Sequence, residues 1–297
     1  MFDMASDHVS APLQQSAEYV RALQSMGVRV ERLEMARNGA VQGHAAMQVQ
    51  WWPVVGWIGL ISRGPVWTDQ PEVAALAQAL HAEAHRVLIN ADGMCPRDLR
   101  SAGFLPVMTP SSVAIWDIRN NAQTRRAGMH QKWRNRLRKA ERSRLRLRHE
   151  AMPVDPLHWL PAREAAFRKT QKYRGLPGVL AAHYAHVNPD QARLFWAEHN
   201  GQPVAGMIFL RHGARATYFL GHTDDEGRTR HAHNLLMSAA ADWFSDHGVH
   251  SLDLGALNTV HAPGLARFKL GCGAQAQSLG GTWLYGRRSA AILKRLA

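Results

Sequence analysis

Apolar residues along the chain alternate between helical and strand-like spacings from end to end. In the first third, apolar side chains three and four residues apart predict helices over residues 13–26 and 71–85. Strands are predicted on both sides of the turn-forming pair Asn38-Gly39, and a short apolar run predicts another strand over residues 86–89. The order of helix, hairpin, helix and strand is typical of an α/β or α+β unit.

The rest of the chain repeats this style. A helix is predicted over residues 128–142, where Met129, Trp133, Leu137 and Ala140 form one apolar stripe. Further helices are predicted over residues 162–173, 180–185 and 231–247, and strands over 112–118, 144–148, 192–196, 204–210, 216–220, 251–255 and 281–285. We therefore expect an α/β (α+β) fold of two similar domains, residues 1–115 and 116–297, each a mixed sheet flanked by helices.

The most apolar stretch, WWPVVGWIGLI at residues 51–61, is too short to cross a bilayer, which takes about 20 residues. Proline and glycine interrupt it, so two short strands around a turn are expected, with an interfacial aromatic patch as the alternative. No other segment predicts a transmembrane helix, and the N-terminus lacks the features of a targeting signal. These observations predict a cytoplasmic protein.

The positive charge of the chain is concentrated in one segment. The 297-residue chain has a formal net charge of +13, and residues 125–148 hold eleven basic residues and one acid. Three interpretations stay open for the predicted basic helix: contact with the phosphates of a tRNA acceptor stem, contact with anionic lipid, or a solvated face without a partner.

Reactive side chains give few candidates for covalent or metal chemistry. The two cysteines, Cys95 and Cys272, form no CxxC pair and predict free thiols. The seventeen histidines include no HExxH or comparable spacing, so no metal site and no cofactor are predicted.

Several segments resemble the Fem family, whose members are aminoacyltransferases with two tandem GNAT-like domains that use aminoacyl-tRNA. The segment KWRNRLRKAE at residues 132–141 is similar to the family's KWRNxIRKAE. Other similar segments follow in the family's order, namely RGP at 63–65, TQKYRG at 170–175, YFLG at 218–221, LDLG at 252–255 and FKLG at 268–271.

The resemblance implies an enzyme that transfers an aminoacyl or acyl group to an amine and forms an amide. Lys269 matches the lysine that the family uses near the reacting centre, and a lysine ammonium is suited to stabilise a developing oxyanion. The resemblance also implies a set of substrate-binding residues, with Arg174 a candidate for an acceptor phosphate or carboxylate: Arg174, Tyr184, Tyr218, Phe268 and Asn258.

Two departures limit what the resemblance implies about substrates. GNAT domains that use acetyl-CoA carry glycines at the start of the main helix, where this chain has His231 and His233. Side chains there would obstruct a pyrophosphate cradle, which favours aminoacyl-tRNA over acyl-CoA as donor. Leu180 stands near a place where an acceptor-binding arginine is expected, so the acceptor is left as a small molecule or a cell-wall precursor.

Candidate contacts to tRNA or another anion are Lys132, Arg134, Arg138, Arg228 and Arg230. Two alternatives to the tRNA-dependent enzyme remain: an acyl-CoA-dependent N-acyltransferase that acts on a cell-surface or polysaccharide precursor, and a non-catalytic adaptor that binds nucleic acid or an anionic membrane.

Overall fold

A computed structural model describes residues 11–83, 86–155, 157–171 and 178–286. These residues form two compact units, each built on a mixed β-sheet flanked by helices. Unit 1 contains the described residues up to Ser112 and those from Ser278 onward, and unit 2 runs from Val113 to Gln277. The expected α/β class, with two mixed sheets, is confirmed.

In unit 1 the described strands form one sheet in the order β1-β2-β3-β5-β14-β6, with β4 against β2. The strands are β1 (Val30–Arg37), β2 (Ala40–Trp52), β3 (Gly56–Gly64), β4 (Val66–Trp67), β5 (Arg86–Ala91), β6 (Leu105–Met108) and β14 (Gly281–Tyr285). The helices are α1 (Ala17–Ser25), α2 (Val73–Ala82) and α3 (Pro96–Ser101), after a short 3₁₀ turn at Leu13–Gln15.

Local chemistry explains the start of this unit. The helix predicted over residues 13–26 is divided at Ser16, whose extended backbone ends the 3₁₀ turn and whose Oγ accepts a hydrogen bond from the Tyr19 amide, 3.2 Å away. The predicted turn at Asn38-Gly39 is confirmed, since both residues adopt positive φ and join β1 to β2.

The position of β14 corrects one expectation. Its bounds match the prediction, but the strand was expected in the second domain. Instead it pairs antiparallel with β5 and β6 of the first sheet, with Trp283 opposite Ile89. Strand pairing between residues almost 200 positions apart depends on tertiary structure and leaves no mark in local periodicity.

In unit 2 the described strands form a sheet in the order β13-β7-β12-β11-β10-β9-β8. The strands are β7 (Ser112–Asp117), β8 (Arg146–Ala151), β9 (Ala192–His199), β10 (Gln202–His212), β11 (Arg215–Thr223), β12 (Ser251–Leu257) and β13 (Gln275–Ser278). The helices are α4 (Ala122–Gly128), α5 (Gln131–Glu141), α6 (Trp159–Gln171), α7 (Val179–Val187), α8 (Asp225–Thr229), α9 (Ala232–Asp246) and α10 (Pro263–Gly271).

The basic segment becomes two helices and an edge strand. Where one helix was predicted over residues 128–142, α4 precedes α5, and α5 buries Trp133, Leu137 and Ala140 of the expected stripe. The strand predicted over residues 144–148 is β8, which begins two residues later, lies at the edge of its sheet and is almost entirely exposed. The apolar stripe of α5 supplies the core contact instead.

No helix among the described residues is both long enough and apolar enough to span a membrane.

Close packing between α5 and α10 generates a stability prediction. A Cβ added at Gly271 would lie 2.7 Å from Cδ1 of the Trp133 indole, whereas one added at Gly264 of the same helix meets nothing within 4 Å. We expect Gly271→Ala to lower the free energy of unfolding by about 1–3 kcal/mol through overpacking. The matched control Gly264→Ala should raise it by up to about 1 kcal/mol, because alanine favours the helix. Chemical denaturation measures both, and equal stabilities would contradict the tight contact.

Candidate active site

The site is built where the parallel strands β11 and β12 diverge. Their pairing covers three residues on each strand and ends with Thr217 opposite Asp253. β11 continues to Thr223 and β12 to Leu257, and Phe219 forms a bulge in the pairing of β11 with β10. Beyond this point the facing edges of the two strands carry main-chain N–H and C=O groups that are not bonded between β11 and β12. A bound substrate could form hydrogen bonds with these groups.

Lys269 reaches this opening from α10. Its side chain is buried, with 6% of the residue exposed, and Nζ donates a hydrogen bond of 2.9 Å to the carbonyl oxygen of Ala256 on β12. Gly255 has a φ of 77°, and a Cβ built there would lie 3.7 Å from Nζ. The left-handed backbone and the missing side chain at Gly255 therefore leave room for the ammonium group.

Burial and a nearby carboxylate set the charge state of this lysine. Burial lowers the pKa of Lys269 to about 8, and the negative charge of Asp253 opposes this shift by raising the pKa. Asp253 is itself buried, and its Oδ1 accepts a hydrogen bond of 2.8 Å from the Gly255 amide. A lysine with a pKa near 8 can act in either protonation state close to neutral pH.

Aromatic side chains lie on the elements that surround Lys269. Phe268 is half-buried, and its ring centroid lies 6.1 Å from those of both Trp133 and His233. Tyr218 is the first residue of β11 beyond the paired stretch, and its ring packs 5.5 Å from that of Phe209. Of the predicted substrate-binding residues, Phe268 and Tyr218 thus lie on the elements that form the opening.

Two other predicted residues have structural roles, and a third is not among the described residues. Tyr184 is fully buried in α7, and its hydroxyl donates a 2.5 Å hydrogen bond to the Arg211 carbonyl, so its position has a purely structural explanation. Asn258 is exposed after β12, and its Oδ1 accepts hydrogen bonds from the amides of Val260 and His261, which shapes the loop to α10. Arg174 lies outside the described residues.

A cavity of about 330 Å³ lies at the start of α9. It is lined by Arg136, Thr223, Gly227, Arg228, His231, His233 and Asn234. Asn234 is 6% exposed, and its Nδ2 has no hydrogen-bond partner among the described residues. A buried amide donor without a partner is costly, so a ligand that accepts its hydrogen bond would be stabilised here.

The two histidines at the predicted glycine positions are part of this cavity. His231 adopts a φ of 56° at the N-cap of α9, a conformation that favours glycine. Burial lowers the pKa of His233 to about 4, and its Nε2 lies 3.0 Å from the His222 carbonyl oxygen. The neutral ring therefore donates its N–H to that carbonyl. Both side chains occupy space that glycine would leave open.

The predicted anion contacts divide into two groups. Arg134 donates to the carbonyls of Ala127 and Met129, and Arg230 donates to Glu226 and to the Ser143 carbonyl, so both serve the fold. Arg228 is exposed but bonded to Asp225 and to the Thr223 carbonyl. Lys132 and Arg138 are exposed on α5, where Arg138 bonds the neighbouring Asn135 side chain.

Sequence reasoning missed Arg136 and Lys139. Together with Lys132 they lie at positions i, i+4 and i+7 of α5, all exposed and without an ion pair in the described chain. Burial lowers the pKa of His231, and the charges of Arg136 and Lys139 lower it further, which places both cations near the cavity. The spacing of these three residues along the predicted helix could have identified them from the sequence. We call Lys132, Arg136 and Lys139 the α5 cation stripe.

A larger cavity of about 690 Å³ is lined by residues of β7, α4, β13 and the adjoining loops, including Asn120, Thr124 and Gln275. None of the predicted site residues lines it. Burial raises the pKa of the Cys272 thiol to about 12, which removes it as a thiolate nucleophile. The described residues contain no group of three or more potential metal ligands.

The sequence model of the acetyltransferase (GNAT) domain matches residues 127–275, which is half of the chain and contains Lys269, the diverging strands and the cavity. The chain belongs to the GNAT acetyltransferase family. It is therefore an acyltransferase, as predicted. A search of curated proteins finds no match.

Solved structures show the same fold over nearly the whole chain. FemX has a TM-score of 0.75 at 15% sequence identity, covering 96% of this chain and 94% of its own. The C-terminal domain of a protein described as a lysylphosphatidylglycerol synthetase from Agrobacterium fabrum has a TM-score of 0.57 at 12% identity, with 95% and 91% coverage. The L-PGS from Bacillus licheniformis gives 0.56 at 12% identity and covers 97% of each chain. The tandem GNAT fold expected from the Fem resemblance is confirmed.

The lowered pKa of Lys269 predicts a pH-dependent contribution to stability. Between pH 8 and 10.5 the folded lysine is largely neutral while the unfolded one is still charged, so the unfolded state binds more protons and stability rises with pH. We expect the unfolding free energy of the wild type, minus that of Lys269→Met, to be flat below pH 8 and to rise above it. Denaturation at several pH values measures this, with exposed Lys132→Met as the control. A flat difference throughout would contradict the shifted pKa.

Proposed function

We propose that this enzyme transfers an aminoacyl group from aminoacyl-tRNA to an amine and forms an amide. The observation that carries the proposal is Lys269, buried at the divergence of β11 and β12 with Asp253 beside it. A buried lysine that exchanges between the ammonium and the neutral amine near neutral pH suits this reaction, because the ammonium can stabilise an oxyanion and the amine can accept a proton.

The chemistry needs little else. The amine nitrogen attacks the ester carbonyl carbon, a C–N bond forms, and the carbonyl electrons move to the oxygen. When the tetrahedral intermediate collapses, the C–O bond to the donor breaks, and the proton lost by the amine goes to the leaving oxygen. Lys269 in its charged form would stabilise the oxyanion, and the diverging strand edges would hold the donor and acceptor in register.

Two observations support a tRNA donor. The α5 cation stripe offers three exposed positive charges without ion pairs in the described chain, as phosphate contacts need. The cavity beside it contains Arg136, Arg228 and the unpartnered Nδ2 of Asn234, which suits a phosphate or ribose near the donor's reactive end. The name of one structural neighbour, lysylphosphatidylglycerol synthetase, refers to an aminoacylated product, which supports the transfer of an aminoacyl group and not the choice of donor.

The same cavity supports a second candidate, an acyl-CoA donor, because it lies at the N-terminus of a long helix, where anions are stabilised. His231 and His233 weigh against it, since their side chains fill space near the backbone amides that a pyrophosphate would approach. The acceptor would be an amine on a small molecule or a cell-wall precursor.

Removal of the lysine charge tests the mechanism. We expect Lys269→Met to lower kcat about 10²–10³-fold with little change in KM for the donor, because the ammonium acts mainly in the transition state. Tyr184→Phe is the control, since it removes a buried hydroxyl that serves the fold. The measurement is steady-state amide formation with a labelled donor and a panel of primary amines. Full activity of Lys269→Met would exclude Lys269 from the reaction.

Removal of the α5 cation stripe tests the donor. We expect the wild type to consume labelled aminoacyl-tRNA, and the triple variant Lys132→Ala, Arg136→Ala, Lys139→Ala to lower kcat/KM at least tenfold with a weaker salt dependence.

The matched control removes three exposed cations elsewhere, Arg21, Arg97 and Lys169, and should leave kcat/KM nearly unchanged. Consumption of acyl-CoA alone by the wild type would overturn the tRNA donor and favour the second candidate.

A further inference from the structure

The tip of the β2–β3 hairpin exposes a concentrated apolar surface. Trp51, Trp52 and Trp57 are 56%, 52% and 46% exposed, and Val54 and Val55 are 107% and 42% exposed. Trp51 and Trp57 face each other across the two strands. We call these five residues the hairpin tip.

The hairpin tip extends beyond the core of unit 1. Burial along the two strands ends at Val49 and Gly59, and Val54 lies five residues further along the chain, about 15 Å at the rise of an extended strand. No charged residue occurs between Gln50 and Ser62. Exposed hairpin turns are usually polar, with Asn, Asp or Gly, so an apolar tip of this length is unusual for a surface that meets only water.

The backbone gives a second, independent indication. Val54 adopts a φ of 70°, and Gly56 a φ of 82°. Glycine adopts the left-handed region without strain, but a β-branched residue is a conformational outlier there and destabilises the turn. The turn therefore displays a valine side chain at its most exposed point although glycine or asparagine would fold more easily.

We propose that the hairpin tip inserts into the interfacial region of a phospholipid bilayer. Tryptophan is enriched at that depth because its ring is apolar and its N–H is polar, and valine enters the outer acyl region. The Arg29 guanidinium lies 5.4 Å over the Trp57 ring and is ion-paired with Glu31, so it packs on the base of the tip and its charge is compensated. Arg86 is exposed opposite Ile58 on the neighbouring strand. With the tip inserted, the Arg86 guanidinium reaches the level of the lipid phosphates.

The shape of the tip favours a bilayer over a second copy of the chain. The tip is convex, and its five side chains expose on the order of 500–600 Å², given roughly 250 Å² for a whole tryptophan. A stable protein interface needs about 800 Å² from each partner. A fluid bilayer moulds around a protruding tip and needs no matching surface, so this area suffices for reversible attachment.

Vesicle co-sedimentation of the full-length protein tests the proposal, with vesicles of phosphatidylcholine alone and of phosphatidylcholine mixed with phosphatidylglycerol. We expect binding to both, stronger to the mixture. The double variant Trp51→Ser, Trp52→Ser should lower the partition coefficient about tenfold or more through lost apolar burial. Val54→Gly should lower it about threefold while the protein stays at least as stable, because glycine suits that φ.

The matched control is Leu157→Ser, Val260→Ser, two residues that are 84% and 78% exposed outside the tip, and it should bind vesicles like the wild type. Thermal unfolding verifies that each variant is folded. The proposal is overturned if the wild type does not bind vesicles. It is equally overturned if binding survives the tip changes but is lost without the α5 cation stripe, or if the tip changes abolish a dimer instead.

Discussion

The packing of α10 against α5 is the constraint on which the candidate active site depends. The Trp133 indole N–H donates a 3.1 Å hydrogen bond to the Phe268 carbonyl, and the His130 amide donates a 3.0 Å bond to the Gly271 carbonyl. Lys269 lies between these two anchored residues, so its direction toward β12 is set by α5. The basic segment therefore has a structural role in positioning Lys269 that is separate from its charge.

The positive charge of the basic segment is not spread evenly over its surface. Arg125 is buried, with its guanidinium bonded to the Ile118 carbonyl and to Asp242, and Arg134 binds the carbonyls at the end of α4. Such arginines are held by the protein and contribute little to a partner. Of the outward-facing cations of α5, Arg136 lines the cavity at the start of α9, and the charge of Lys139 also acts on His231 there. The local field that a donor would meet therefore comes from a few residues and not from the net charge.

Helices and strands with a clear periodicity of apolar residues were predicted close to their observed bounds. Short helices without such a periodicity were not predicted. α9 and the hairpin strands β10 and β11 were predicted within a few residues, because long apolar patterns and a turn define them. α3 and α8 span six and five residues, too short for a helical period. α10 begins at Pro263, and with glycines at both ends its helix-forming pattern is weak. Lys269 was thus selected by resemblance before its helix could be predicted.

By itself the sequence determined the α/β class, the apolar stripe of α5 and the concentration of charge, because each depends on the pattern of residues along the chain. Lys269 became a candidate through the resemblance of its segment to the Fem family. Tertiary structure alone decided that β14 joins the first sheet, that Arg134 and Arg230 are used internally, and that Lys269 is buried beside Asp253. Burial, hydrogen bonding and pKa depend on which distant segments meet. The periodicity of a chain predicts its elements, but only their packing determines the dielectric and the partners that each side chain meets.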